Sequence, residues 1–376
     1  MKTITKQILL RVCAILVALF STIVFSSPTR AQVTAQELLT LPTDRIVELA
    51  IIGEPEAQFW VANAVYTGLL HSPKPHYEAY DWFLAAAEQG HVEATFQVSS
   101  IARYSEELRR EAVALLLPLA RNESGRAHYH LREQYNLLDQ RVLALHHLRK
   151  AADLGYRPAM ADYGLHLILS DGSDEPRNIA RGAEMLNAVV RLSPTPDEMK
   201  NNDAAFARTC NAYNTLENIY SGVVPYYEDG QIYEDTTLQD TAKEIEVLES
   251  AADFGCVWAA FSYANRLLEG DGVEQNIEKA AFLLQYVLSA EGPDGVLFLG
   301  ATFLAAKVQL ALGDFDGAEK HIVNLPPRDV GQFYARENLV TVLADIGIVY
   351  GPAVPLCAKH QIDLLNCRDF LVELTQ

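Results

Sequence analysis

Apolar and small residues recur along most of this chain with the period of a helix, and strand-like alternation is nearly absent. In "YEAYDWFLAAAEQG" (77–90), "RVLALHHLRKAADLG" (141–155), "TAKEIEVLESAADFG" (241–255) and "IEKAAFLLQYVLSAEG" (277–292) they fall at i, i+3 or i+4, and i+7. Each segment closes on a glycine. Alanine follows four positions after that glycine in the pairs Gly90/Ala94, Gly155/Ala159 and Gly255/Ala259, and Gly53/Ala57 is a fourth case. From each alanine a further amphipathic pattern opens, with apolar or small residues at +4, +5 and +8. After Ala57 these are Val61, Ala62 and Val65; after Ala259 they are Tyr263, Ala264 and Leu267.

Weaker copies fill the gaps, starting at Ala127, Ala212, Gly295 and Ala335. The pattern therefore predicts paired helices repeated along the chain, spaced 32 to 40 residues apart except around Ala212, where the spacings are 53 and 47. Alanine and glycine let the two helices of a pair approach closely, and a glycine such as Gly90, Gly155 or Gly255 permits the left-handed turn that ends a helix. One pair of about 35 residues cannot bury its apolar face alone, so such units stack.

The stretch "LLEGDGVEQNIEKAAFLL" (267–284) tests this reading, because Gly270 and Gly272 precede a helix as in a phosphate cradle. A nucleotide fold needs a strand before the glycines, and 256–268 reads as a helix. Gly270-Asp-Gly272 is thus expected to be the turn inside one helical pair. In register, Ala259, Tyr263-Ala264, Leu267, Gly270, Gly272-Val273, Asn276 and Lys279-Ala280-Ala281 resemble the SEL-one-like repeat (SLR), a relative of the tetratricopeptide repeat. Asn276 stands where that family prefers Asp. "YDWFLAAAEQGH" (80–91) matches the second half of the repeat, and the likeness extends over about 50–350. The resemblance implies an all-α, right-handed solenoid superhelix of seven to eight helix-turn-helix repeats.

The first 31 residues differ in kind. Lys2, Lys6 and Arg11 precede an apolar run from Val12 to Phe25, and Thr29-Arg30-Ala31 offers small residues at a cleavage site. This is the pattern of a secretory signal peptide, and the run is short for a membrane-spanning helix; a retained anchor is the alternative. The expected organisation is a signal peptide (1–31), repeats (32–192), an irregular repeat with an insertion (193–240), repeats (241–350) and a C-terminal capping helix (351–376). Without Lys2, Lys6, Arg11 and Arg30, the 30 basic residues fall to 26 against 49 acidic ones. Such a surface disfavours nucleic acid and anionic lipid, and suits a protein or peptide partner with basic patches. No membrane insertion of the mature chain is expected.

Four cysteines remain after cleavage: Cys210, Cys256, Cys357 and Cys367. An even count in an exported chain allows disulfides. Cys357 with Cys367 is the first expectation, as a local staple; Cys210 with Cys256 is the remaining pair, and free buried thiols are the alternative.

The repeat breaks between Ser193 and Thr241. "SPTPDE" (193–198) is proline-rich, and "VVPYYEDGQIYEDTTLQD" (223–240) carries Tyr226, Tyr227 and Tyr233 around Asp229-Gly230, a hairpin signal. Insertions in solenoids map to one face, often a binding face, so an acidic-aromatic contact loop is expected; a solvated insertion without a partner is the alternative. Trp60, Tyr66, Tyr163 and Tyr263 on first helices either line the inner groove or belong to the core.

Chemistry is sparse. His128 and His130 are two apart and His146 and His147 adjacent, so neither pair shares a helix face as a ligand set. HExxH, GxSxG, P-loop and C-x-x-C motifs are lacking, and no metal, cofactor or catalytic residue is expected. Two functions follow. One is an exported scaffold or adaptor; the resemblance implies envelope roles such as exopolysaccharide secretion or periplasmic regulation. The other is a cell-wall- or penicillin-directed hydrolase, which some cysteine-rich members of the family suggest. Four cysteines in eight units count against it. The periplasm is the expected location, with secretion as the alternative.

Overall fold

The computed structural model describes residues 33–172, 174–192, 203–228, 231–292 and 295–312, with 314, 317, 320 and 321. For 225–228, 231–233, 299 and 310 it describes the backbone alone. The chain forms two compact units, divided between Tyr156 and Arg157.

The first unit holds α1 (Ala35–Leu38), α2 (Thr43–Ile51), α3 (Pro55–Tyr66), α4 (Ala79–Ala87), α5 (Val92–Ile101), α6 (Glu106–Arg121), α7 (Gly125–Leu137) and α8 (Arg141–Asp153), with a 3-10 turn at Ala102–Tyr104. The second holds α9 (Arg157–Leu169), α10 (Ile179–Arg191), α11 (Asp203–Ser221), strands β1 (Val224–Glu228) and β2 (Gln231–Asp235), α12 (Thr241–Phe254), α13 (Val257–Glu269), α14 (Ile277–Glu291) and α15 (Phe298–Ala311). Within each unit consecutive helices pack side by side, as in a solenoid.

The repeat register explains what is buried. In α13 the buried residues are Ala259, Ala260, Tyr263, Ala264, Leu267 and Leu268, the +0, +4, +5 and +8 positions and their neighbours. In α14 they are Ala280, Leu283, Leu284 and Val287. Fully burying a Leu or Val contributes about 1.5–3 kcal/mol, so each pair draws its stability from such stripes. In the first unit Trp82, Phe83 and Val61 share one core cluster, and Phe96, Leu116 and Leu131 another.

The turns recur as the sequence predicts. Gly90, Gly155, Gly255, Gly270 and Gly272 all adopt positive φ. Gly255 caps α12 at φ 100°, and its N–H donates to the Ala251 and Ala252 carbonyls. The 267–284 stretch is the turn of a helical pair: Gly270 caps α13, and the Asn276 side chain accepts from the Lys279 N–H to start α14. The Asn276 N–H also donates to the Leu267 carbonyl at 2.9 Å, tying the cap to the preceding helix. Asn178 repeats the device, accepting from Arg181 and donating to Leu167 at 2.8 Å. At Gly182 the helices come so close that a Cβ would lie 2.6 Å from the Gly164 carbonyl oxygen.

The insertion around 223–240 is a two-stranded antiparallel hairpin in which Tyr226 pairs with Tyr233 and Tyr227 with Ile232. Its base is fastened. Val224 is buried in the second unit's core, and Arg177 Nη1 donates to Asp235 Oδ2 at 2.7 Å. A disulfide joins Cys210 of α11 to Cys256, the residue before α13. That is the pairing expected as the remaining one; Cys357 and Cys367 lie outside the described residues.

Candidate functional site

First helices α9 and α11 flank a groove of about 370 Å³. Alanines 161, 207 and 212 contribute small side chains to its wall, and Asp162, Leu165, Arg208, Asn211 and Thr215 complete much of it. Arg208, Asn211 and Thr215 lie three and four residues apart, hence on one face of α11. The Thr215 hydroxyl donates to the Asn211 carbonyl at 2.9 Å, which leaves its oxygen as an acceptor. Guanidinium, amide and hydroxyl in a row match the carbonyls, amides and carboxylates of a polypeptide. A second concavity, about 590 Å³, lies among α10, α11 and α12, with Asn187, Arg191, Tyr213, Tyr220 and Lys243 on its walls. There Asn187 Nδ2 donates to the Tyr220 hydroxyl at 2.9 Å.

The structure describes the surroundings of four of the aromatic residues singled out from sequence. Tyr163 and Tyr263 are core residues, 0% and 4% exposed, and not groove walls. Both stand at the +4 position of their repeat, where the side chain turns inward. The Tyr163 hydroxyl donates to Glu175 at 2.7 Å. Burial and the bond to Glu249 raise the pKa of Tyr263. Trp60 is half-buried against the first unit's core, and Tyr66 is exposed at the end of α3. Tyr226, Tyr227 and Tyr233 occupy the hairpin strands.

Sequence reasoning missed a contact between histidines of successive helices. His128 Nδ1 of α7 and His147 Nδ1 of α8 are 2.8 Å apart, although 19 residues separate them. The ring of His147 stacks on Tyr135 and meets His146 edge-on. One imidazole donates and the other accepts, so the contact requires a single proton between the two nitrogens. Burial lowers His128, and it pulls His147 to about 4 with His128 and His146 adding to the shift. The pair was readable only with the α7–α8 register in hand. Among the described residues no group of three or more His, Cys, Asp or Glu is placed to hold a metal.

Glu244, 4% exposed, is paired with the Arg266 guanidinium, which also holds Asp271 at 2.7 Å. Burial, then the neighbouring Glu244, raises the pKa of Glu217, while Arg266 opposes the shift. Among the described residues, no helix is long and apolar enough to cross a membrane.

These helical pairs and their alanine-and-glycine seams match a family pattern, the Sel1 repeat, over residues 55–91, 127–156, 157–188 and 259–286. The chain carries four Sel1 repeats. Among solved structures, the chain is similar to c5321, a protective antigen of uropathogenic Escherichia coli that displays an SLR fold. Identity is 17%, the TM-score is 0.52, and the match covers 88% of this chain and 68% of that one. A Sel1 repeat protein from Oxalobacter formigenes matches at 15% identity and a TM-score of 0.43, over 66% of this chain and 100% of that one. No curated protein sequence matches the chain. Two of the four Sel1 matches begin directly on a start assigned from sequence, Ala127 and Ala259, and the other two begin two residues before one, Ala57 and Ala159. Between the last two matches lie α11, the hairpin and α12 without a match, which is where the repeat spacing lengthens.

Proposed function

We propose that this Sel1-repeat chain is an exported scaffold that holds another protein or peptide in the bacterial envelope, serving envelope assembly or regulation. The observation that carries the reading is the α9–α11 groove, with Arg208, Asn211 and Thr215 on one face beside small alanines. Repeat proteins of this kind present an extended surface for a polypeptide and little preorganised chemistry. The basic, apolar and small-residue order of the first 31 residues supports export to the periplasm. The Cys210–Cys256 disulfide supports an oxidising compartment. The acidic composition favours a partner with basic patches.

The test is affinity purification of the mature chain from its native envelope, alongside Arg208→Glu. A specific partner, held by the wild type and weakened by the charge reversal, supports the reading. Absence of any specific partner overturns it, and so does turnover of a cell-wall substrate abolished by a single substitution.

A further inference from the structure

The hairpin has two outer edges, and the backbone makes them unequal. Its register pairs Val224 with Asp235, Pro225 with Glu234, Tyr226 with Tyr233, Tyr227 with Ile232 and Glu228 with Gln231. Two residues connect the strands, so the flanking pair, Glu228–Gln231, exchanges both ladder hydrogen bonds. Bonded and non-bonded pairs then alternate: Tyr226–Tyr233 and Val224–Asp235 are bonded, while Tyr227–Ile232 and Pro225–Glu234 are not. Proline at 225 fits this phase, since it has no N–H to give the ladder.

The non-bonded pairs turn their N–H and C=O groups outward. On β1 the outer edge offers both groups at Tyr227 but only a carbonyl at Pro225. On β2 it offers both groups at Ile232 and again at Glu234. Pro225 therefore blunts one edge, the device by which natural sheets discourage pairing, and β2 keeps the complete edge. No third strand joins the pair among the described residues.

The edge is also held in place. An isolated two-stranded hairpin is marginal in water. Here Val224 is buried in the core, and Arg177 and Asp235 pair at 2.7 Å with side chains 20% and 15% exposed. Gln239 Nε2 donates to the Ser221 carbonyl at 3.2 Å, and the Asp240 N–H to the Tyr220 carbonyl at 2.8 Å. An edge fixed in this way costs less ordering when a strand is added.

Charge selects the occupant. Residues 223–240 contain Glu228, Asp229, Glu234, Asp235 and Asp240, and neither lysine nor arginine. Arg177 and Lys243 answer Asp235 and Asp240, so Glu228, Asp229 and Glu234 carry the excess negative charge of the strands and their turn. Glu234 is exposed. A second copy of this chain, adding β2 to β2, would set these acids against one another, and like charges across strands are destabilising. We infer that β2 docks an extended, lysine- or arginine-bearing segment of a partner protein by strand addition, through the backbone of Ile232 and Glu234. The inference rests on the scaffold reading and names one of its contact surfaces.

The experiment uses the mature chain and a fluorescent peptide of alternating lysine and valine, with binding read by anisotropy. Glu234→Pro removes an outward N–H without touching a ladder bond, as Pro225 already does on the other strand. Glu234→Gln removes the charge and keeps the N–H. Binding by the wild type, modest weakening in Glu234→Gln and about tenfold weakening in Glu234→Pro with an unchanged melting temperature support the inference. The same peptide N-methylated at alternate residues is expected to lose binding. Failure of the wild type to bind overturns it, as does equal binding by Glu234→Pro or by the methylated peptide. An envelope partner retained equally by the wild type and Glu234→Pro overturns strand addition while leaving the scaffold standing. A wild type that binds the peptide through β2 but holds no envelope partner sinks the scaffold alone.

Discussion

Cys210 and Cys256 are bonded across a sequence separation of 46 residues, joining first helices of successive pairs around the one pair that departs from the Sel1 spacing. The interval they close contains the hairpin and all of α12. Closing a loop of that length removes about 4 kcal/mol of chain entropy from the unfolded state. Cys210→Ser together with Cys256→Ser is therefore expected to lower the unfolding free energy of the second unit by about 3–4 kcal/mol. Denaturant titration with and without reductant checks this: reductant should shift the wild type and leave the double variant unmoved.

The facing histidines predict an acid sensitivity in the first unit. His147 has a folded pKa of about 4 against an ordinary value of 6.5, and His128 and His130 are also lowered, His130 to about 4. Burial leads in all three. The unfolded chain takes up these protons first, so their contribution is present above about pH 6.5 and lost as the pH falls toward 4. Unfolding midpoints of the first unit should decline through that window. His147→Gln should flatten the decline; an unchanged slope would show that the facing pair is not its source.

The hairpin's fastening predicts a local effect. Arg177→Ala leaves Asp235 as a largely enclosed carboxylate without its guanidinium, a loss of about 1.5–3 kcal/mol for a charged hydrogen bond. Amide exchange within 224–235 should accelerate, with exchange in α14 unaffected. Asp235→Asn, which keeps a hydrogen-bond acceptor, should have the smaller effect.

Two glycines should fail for different reasons. Gly255→Ala forces an L side chain to φ 100°, with nothing closer than 3.5 Å, so its cost of about 1–2 kcal/mol is conformational. Gly182→Ala drives a methyl group onto the Gly164 carbonyl and Ile168, an overpacking cost of about 1–3 kcal/mol. Ile168→Ala removes both carbons that the methyl group meets and should couple favourably with Gly182→Ala but not with Gly255→Ala, as thermal melts of the single and double variants would show.

The helical pairs could be read from sequence because their cause is local and repeated: one register of small residues, an inward +4 residue and a glycine stop. Asn276 was read from sequence only as a repeat position, and its part as the cap of α14 came with the structure. The hairpin declared itself through Asp229-Gly230. Tyr163 and Tyr263 left two readings open because a helical stripe does not say which neighbour covers it. The His128–His147 contact depends on how α7 lies on α8, and Arg208, Asn211 and Thr215 become a surface only once α9 stands opposite. Both are products of packing, which periodicity predicts in kind but not in detail.

The bond between Cys210 and Cys256 has a mechanical side as well. A pull on the two ends of the second unit passes from α11 through the sulphur bridge and into α13. Residues 211–255 lie in parallel with that bridge and bear no tension. The hairpin and α12 are therefore shielded from stretching, and a partner gripped at β2 would stay seated while the helices outside the bridge were drawn apart.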